Sequence, residues 1–178
     1  MNFYRIAAVF FIFHVTWSFA GQDEKITAPL SARDRENILI AAKEIRSAIL
    51  QKDTKRFFEF ISTTQGLTCT DTNYSSKEIK AFLDNKNSYF YLSLFDNKRY
   101  SKKCSDGYPE EYPAISENEF LRTANNTVTL IQESNDWVRV VIGSSIKSHY
   151  PREWYFHRDG QVWKISGSSF IIGNCSCG

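Results

Sequence analysis

The stretch REWYFHRDGQVWKISG, residues 152–167, decides the fold class. It contains two runs that are dense in aromatic and β-branched residues, joined by Asp159-Gly160. An Asp-Gly pair between two such runs is the strongest short-range signal for a β-hairpin. Two upstream stretches, TVTLIQE at 127–133 and WVRVVIG at 137–143, alternate apolar and polar residues with the period of a strand. The last third of the chain is therefore predicted to form an antiparallel meander of about four strands.

The first half of the chain carries helical patterns instead. Ser31 is a suitable N-cap, Asp34 adds a favourable charge to the first turn, and the helix is expected to end near Lys52. The residues predicted to be buried recur at helical spacing and are Ile38, Ala41, Ala42, Ile45, Ala48 and Ile49. N-terminal helices followed by an antiparallel sheet are typical of an α+β fold.

Shorter patterns lie between the long helix and the meander. The capping boxes SSKE at 75–78 and SENE at 116–119 each predict the start of a helix. The apolar run SYFYLSLF at 88–95 fits neither period cleanly, and we predict a buried helix there, with a strand as the alternative. The polar residues 96–116 are predicted to form a long loop that Cys104 pins to the rest of the domain.

Residues 1–20, MNFYRIAAVFFIFHVTWSFA, have the organisation of a secretory signal peptide. Arg5 supplies the basic region, the run from Ile6 to Phe19 is apolar, and Ala20 is a small residue at the expected cleavage site. The run is shorter than the roughly 20 residues that a membrane-spanning helix needs. We therefore predict cleavage, with no stable membrane insertion afterwards; an uncleaved N-terminal anchor is the alternative.

Cleavage at this site defines the remaining organisation of the chain. It would leave a flexible lead-in at 21–30 and a single α+β domain at 31–178, which is an ordinary length for one domain. The expected location is periplasmic or extracellular, because a signal peptide directs export.

The four cysteines, Cys69, Cys104, Cys175 and Cys177, all follow the predicted signal. An even number of cysteines in an oxidising compartment predicts disulfides. Three pairings are open, and a bridge from the C-terminal tail to Cys69 or Cys104 is favoured because long loops restrict the unfolded chain most. The alternative is a thiolate metal site at the Cys-x-Cys pair, but no histidine pair stands beside it at ligand spacing.

The charges and motifs exclude several functional classes. The chain has 22 Lys and Arg against 20 Asp and Glu, and removal of the signal takes away only Arg5. This balance gives no long-range field for steering a polyanion, and no basic stripe with interleaved aromatics indicates nucleic-acid binding. The sequence also contains no phosphate-binding glycine loop, no G-x-S-x-G and no H-E-x-x-H. No cofactor and no metal ion are predicted.

The order of the predicted elements and the closing stretch WYFHRDGQVWKISGSSF, at 154–170, resemble the NTF2-like (cystatin-like) superfamily. The resemblance covers most of residues 31–172 and implies helices packed on a curved, cone-shaped antiparallel sheet. In such a cone the concave face can line a pocket that holds an acid–base pair. Exported members include enzymes, ligand binders and interaction modules, so the fold does not select one of these functions.

The hairpin supplies the candidate catalytic residues. Side chains alternate along a strand, so Glu153, Tyr155 and His157 share one face. If that face lined a pocket, His157 would act as base, Tyr155 as proton donor and Glu153 as the group that orients them. The competing arrangement buries four apolar residues instead, which are Trp154, Phe156, Trp163 and Ile165. We favour the latter, because each fully buried large apolar side chain contributes about 1.5–3 kcal/mol.

These observations lead to two functional hypotheses. The first is a non-enzymatic exported domain that binds a partner protein through its sheet or its long loop. The second is a small-ligand binder or an acid–base enzyme that uses the interior of the cone. A pocket lined by polar side chains would favour the second hypothesis. A filled interior with an exposed apolar patch elsewhere would favour the first.

Overall fold

A computed structural model describes residues 29–69, 72–104, 115–143 and 151–168, except the side chain of Cys69. These residues form an α+β domain. The helices are α1 (Ala32–Gln51), α2 (Thr54–Phe58), α3 (Ser76–Asp84), α4 (Tyr89–Phe95), α5 (Asn97–Lys103) and α6 (Glu117–Thr123). The strands are β1 (Leu67–Cys69), β2 (Thr72–Tyr74), β3 (Val128–Gln132), β4 (Trp137–Ile142), β5 (Arg152–Asp159) and β6 (Val162–Ser168). The predicted signal peptide, the lead-in up to 28, Cys175 and Cys177 lie outside the described residues.

The strands form one mixed sheet in the order β2-β1-β6-β5-β4-β3. The predicted meander is present as β3 to β6, paired antiparallel from neighbour to neighbour. The predicted number of about four strands is wrong, because the described residues contain six. β1 and β2 add to the sheet through a parallel pairing of Thr68 with Gly167 and an antiparallel pairing between themselves. Each is only three residues long, too short to show a strand period in the sequence.

The long N-terminal helix is confirmed. The Ser31 hydroxyl accepts a hydrogen bond from the Asp34 amide at 3.0 Å, and Lys52 ends the helix in a left-handed conformation with φ of 58°. All six residues predicted to be buried are buried: Ile38, Ala41, Ala42, Ile45, Ala48 and Ile49. The helical spacing of apolar residues was sufficient to orient α1 on the sheet.

The segment between the long helix and the meander is more helical than predicted. SYFYLSLF forms helix α4, as favoured. The predicted loop at 96–116 is wrong at its start, because residues 97–103 form α5; Asp96 caps this helix by accepting a hydrogen bond from the Arg99 amide at 3.2 Å. Tyr100 is the only buried residue within α5, so the helix has no apolar stripe that the sequence could reveal. Residues 105–114 of the predicted loop lie outside the described residues.

Cys104 follows α5 and is buried in a small cluster with Leu92 and Tyr100. It is disulfide-bonded. The side chains of the other three cysteines lie outside the described part of the chain, so the favoured pairing with the tail stays a prediction.

Asp34 joins α1 to the hairpin of β5 and β6. Its two carboxylate oxygens accept hydrogen bonds from Trp163 Nε1 and Arg158 Nη2, each at 2.9 Å. The hydrogen bond from Trp163, followed by that from Ser31, lowers the pKa of Asp34. The residue predicted as a helix-dipole partner thus also holds the N-terminal end of α1 against the sheet.

Candidate binding groove

The interior of the domain is filled by apolar side chains. The predicted inward face of the hairpin, Trp154, Phe156, Trp163 and Ile165, is buried with at most 4% of any side chain exposed. Val138, Val140 and Ile142 of β4 lie on the same face and are also buried. The arrangement favoured from the sequence is therefore confirmed, and the helix-facing side of the meander is a packed core.

The candidate catalytic residues lie on the opposite face of β5. Glu153 accepts hydrogen bonds from the Tyr155 hydroxyl at 2.7 Å and from Arg139 Nη1 at 3.0 Å, so the structure brings Glu153 and Tyr155 together. The His157 ring packs on Trp137, with 4.7 Å between the ring centroids. Burial, followed by the hydrogen bond and charge of Glu153, raises the pKa of Tyr155.

The contacts of Glu153 are those of an ion-pair network and not those of an acid–base site. Arg139 lies between Glu153 and Glu133, whose carboxylate oxygen is 2.6 Å from Arg139 Nε. Glu153 is therefore neutralised on one side and hydrogen-bonded on the other. Because burial and the neighbouring carboxylate raise the pKa of Tyr155, its hydroxyl holds its proton more tightly, which disfavours its use as a proton donor.

The interior also contains a buried glutamate that the sequence patterns did not indicate. Glu117, the first residue of α6, is fully buried, and its Oε1 accepts a hydrogen bond from Trp154 Nε1 at 3.0 Å. Its Oε2 is 3.4 Å from Arg152 Nε, and neither of these two atoms has a hydrogen-bond partner. Burial raises the pKa of Glu117 to about 7, against the opposing effects of the Arg152 charge and the Trp154 hydrogen bond.

A surface groove of about 980 Å³ lies between α1 and the β3 side of the sheet. The buried side chains of Trp154 and Ile142 lie beneath it. Its apolar walls include Leu39, Ile40 and Val128, whose side chains are 41%, 52% and 41% exposed. We refer to this concavity, defined by its lining residues on α1, β3, β4 and β5, as the α1–β3 groove.

Hydrogen bonds connect the α1 side with the β3 side near both ends of the α1–β3 groove. At one end the Leu30 amide donates to Gln132 Oε1 at 2.8 Å. At the other end Arg46 Nη1 donates to Asn126 Oδ1 at 2.9 Å, and Nη2 donates to the Leu121 carbonyl at 2.9 Å. These hydrogen bonds hold α1 and the residues just before it near both ends of the segment that contains β3.

The groove carries an excess of positive charge. Arg35, Lys43 and Arg46 line it, against the single carboxylate of Glu36. Within the described ranges no ion pair engages any of these cations, and Arg46 contacts only neutral oxygens. An apolar groove flanked by unneutralised cations is suited to an apolar ligand that also bears negative charge.

The sequence of α1 also contains an indication of this groove. The run Ile38-Leu39-Ile40 is wider than the single stripe that a helix needs to cover a sheet. Ile38 is buried in the core, whereas Leu39 and Ile40 project away from it. Two consecutive large apolar residues outside the buried stripe were therefore the available indication of a second apolar surface on α1.

No group of three or more His, Cys, Asp and Glu side chains in the described ranges is arranged to hold a metal ion. Among the helices of these ranges, none combines the length and the apolar character required to cross a membrane.

No protein-family model matches the sequence, and no curated protein shows significant sequence similarity to it.

Proposed function

We propose that the chain is an exported, non-enzymatic interaction domain that binds a partner protein in the α1–β3 groove. The fold is proposed to be NTF2-like, with the concave side of the sheet filled by core residues instead of a ligand. The predicted signal peptide and the four cysteines support export to the periplasm or the extracellular space.

The observation that carries the proposal is the position of the apolar surface. The interior contains Trp154 and Phe156 with no exposed surface, while Leu39 and Ile40 lie exposed beside each other on the outside of the domain. Exposed large apolar residues that are rimmed by charged residues are typical of protein interaction sites. A filled interior with an external apolar patch is the pattern that distinguishes a protein binder from a pocket enzyme.

A small-ligand binder is the second candidate, and the size of the groove favours it. A volume of about 980 Å³ falls at the upper end of the range for small-molecule sites. The same groove, with its apolar walls of Leu39, Ile40 and Val128, would then hold an apolar anion.

Native mass spectrometry separates the two candidates. The protein is purified without reductant from the cells that export it, at low ionic strength to preserve charged contacts. We expect a chain that begins at Gly21 and carries an additional mass equal to a whole protein. An additional mass of a few hundred daltons would indicate instead that the groove binds a small ligand. A chain that repeatedly carries nothing, under conditions that preserve known weak complexes, would contradict both candidates.

A further inference from the structure

The outer strand of the sheet lies directly beside the groove. β3 is the last strand in the sheet order, and among the described residues it pairs only with β4. Its sequence VTLIQ contains no charged residue and no proline. Edge strands are normally protected against added strands by charge, proline or a covering element, and the described residues give β3 none of these.

The register identifies which backbone groups of β3 are open. The Gly143 amide donates to the Thr127 carbonyl, and the Glu133 amide donates to the Trp137 carbonyl. Hydrogen-bonded pairs alternate along an antiparallel ladder, so Thr129 and Ile131 also face β4. The amides and carbonyls of Val128 and Leu130 therefore point away from β4. The Val128 side chain lines the groove at the same place.

From this edge and the charges on α1, we infer that the partner contributes an extended segment that carries both acidic and apolar side chains on its face toward α1, and that this segment pairs with β3 as an added strand in the α1–β3 groove. The inference rests on the proposed function and specifies its ligand. Val128 and Leu130 would supply backbone hydrogen bonds, and Leu39 and Ile40 would contact the apolar side chains.

The charges and dimensions of the groove agree with this segment. Arg35 and Arg46 are about 16 Å apart along α1 at 1.5 Å per residue. β3 is five residues long, which corresponds to about 17 Å of extended chain. One segment can therefore pair along β3 and place carboxylates near both arginines and Lys43, whose charges no carboxylate of the described residues meets.

The test uses a displayed library of random dodecapeptides, selected on the full exported chain. We expect the enriched peptides to contain acidic and apolar residues two positions apart, so that both kinds lie on one face of the extended chain. Charge reversal at the groove, with Arg35→Glu and Lys43→Glu together, should weaken their binding at least about tenfold and select basic peptides instead. Enrichment of peptides without acidic residues, or no enrichment above the background of the reversed variant, would overturn the inference.

Strand pairing is tested at Val128. Val128→Pro removes an amide that points away from β4, at the first position of an edge strand, where proline is tolerated. Val128→Ala provides the reference for the lost side chain. We expect peptides selected on the wild type to bind the proline variant about tenfold more weakly than the alanine variant. Equal affinity for the two variants, with both folded by thermal melting, would exclude strand pairing.

Amide hydrogen exchange tests the pairing of a peptide with β3 without a mutation. In the free protein the amides of Val128 and Leu130 should exchange rapidly, whereas those of Thr129 and Ile131 should be protected by β4. Addition of a selected peptide should protect the first pair and leave the second pair unchanged. Protection of neither Val128 nor Leu130 in the saturated complex would contradict the added strand.

The outcomes separate this inference from the function on which it rests. If no peptide is selected but the native mass still contains a protein, the groove binds a folded surface, and only the extended segment is wrong. If neither is found, both proposals fail. Phosphatidylglycerol vesicles form the third arm. If they bind the wild type but not the reversed variant and displace the selected peptides, the groove binds anionic lipid, and the peptide inference is overturned.

Discussion

The free energy of unfolding of the wild type should fall by about 2–3 kcal/mol between about pH 5 and about pH 8, and replacement of Glu117 by glutamine should abolish this fall. In the folded protein the pKa of Glu117 is about 7, above its ordinary value of 4.5. The folded state therefore binds the proton more tightly than the unfolded state. The stabilising contribution of Glu117 is fully present below pH 4.5 and is lost as the pH rises through about 7.

Glutamine is the suitable replacement because its amide oxygen can still accept the hydrogen bond from Trp154 Nε1. We would measure the free energy of unfolding by urea denaturation at both pH values. Glu36→Gln removes an exposed carboxylate and should follow the wild type. A parallel loss of stability in the wild type and in Glu117→Gln would show that Glu117 does not titrate in this range.

The two contacts of Glu117 explain why alanine should behave differently. Glu117→Ala leaves Trp154 Nε1 without its hydrogen-bond acceptor and Arg152 without its counter-charge, and removal of one partner of a buried ion pair costs about 3–5 kcal/mol. We expect this variant to be destabilised at both pH values, and least relative to the wild type at high pH, where Glu117 itself is unfavourable.

The second large effect is expected on binding, without an effect on stability. The double variant Leu39→Gln with Ile40→Gln should bind the partner at least about thirtyfold more weakly, because both side chains would lose apolar contacts in the interface. Glutamine is a good helix former and both positions are exposed, so the free energy of unfolding should change by less than about 0.5 kcal/mol.

Val162 provides the matched control for this variant. It is 51% exposed, almost the same as Ile40 at 52%, and it lies on β6 outside the groove. Val162→Gln should leave partner binding unchanged. Equal loss of binding in both variants would indicate a general response to polar substitution and would contradict a site in the groove. Full retention of binding by the double variant would do so as well.

The sequence patterns correctly predicted the β5–β6 hairpin and helix α1, because both depend mainly on residues that are close in the sequence. Asp159-Gly160 and the alternation of Trp154 and Phe156 placed the hairpin and its buried face correctly. Helical spacing placed α1, because that helix covers one wide apolar surface. Both elements are long enough for their period to appear in the sequence.

The features that the sequence did not predict depend on contacts between distant segments. β1 pairs with β6 through Thr68 and Gly167, so its sheet partner lies almost a hundred residues away. The Ser116–Glu119 capping pair predicted an ordinary acidic first turn for α6, but Arg152 and Trp154 of β5 enclose Glu117. Prediction of the groove likewise requires the position of β3 at the edge of the sheet.

The most direct test of the account is site-specific photo-crosslinking in the cells that export the chain. A benzophenone amino acid replaces Ile40 in one variant and Val162 in the other, since the two positions are equally exposed. We predict one discrete crosslinked protein from position 40 and none from position 162. Crosslinking of the same protein from position 162 alone, or of no protein from position 40, would contradict a partner bound in the α1–β3 groove.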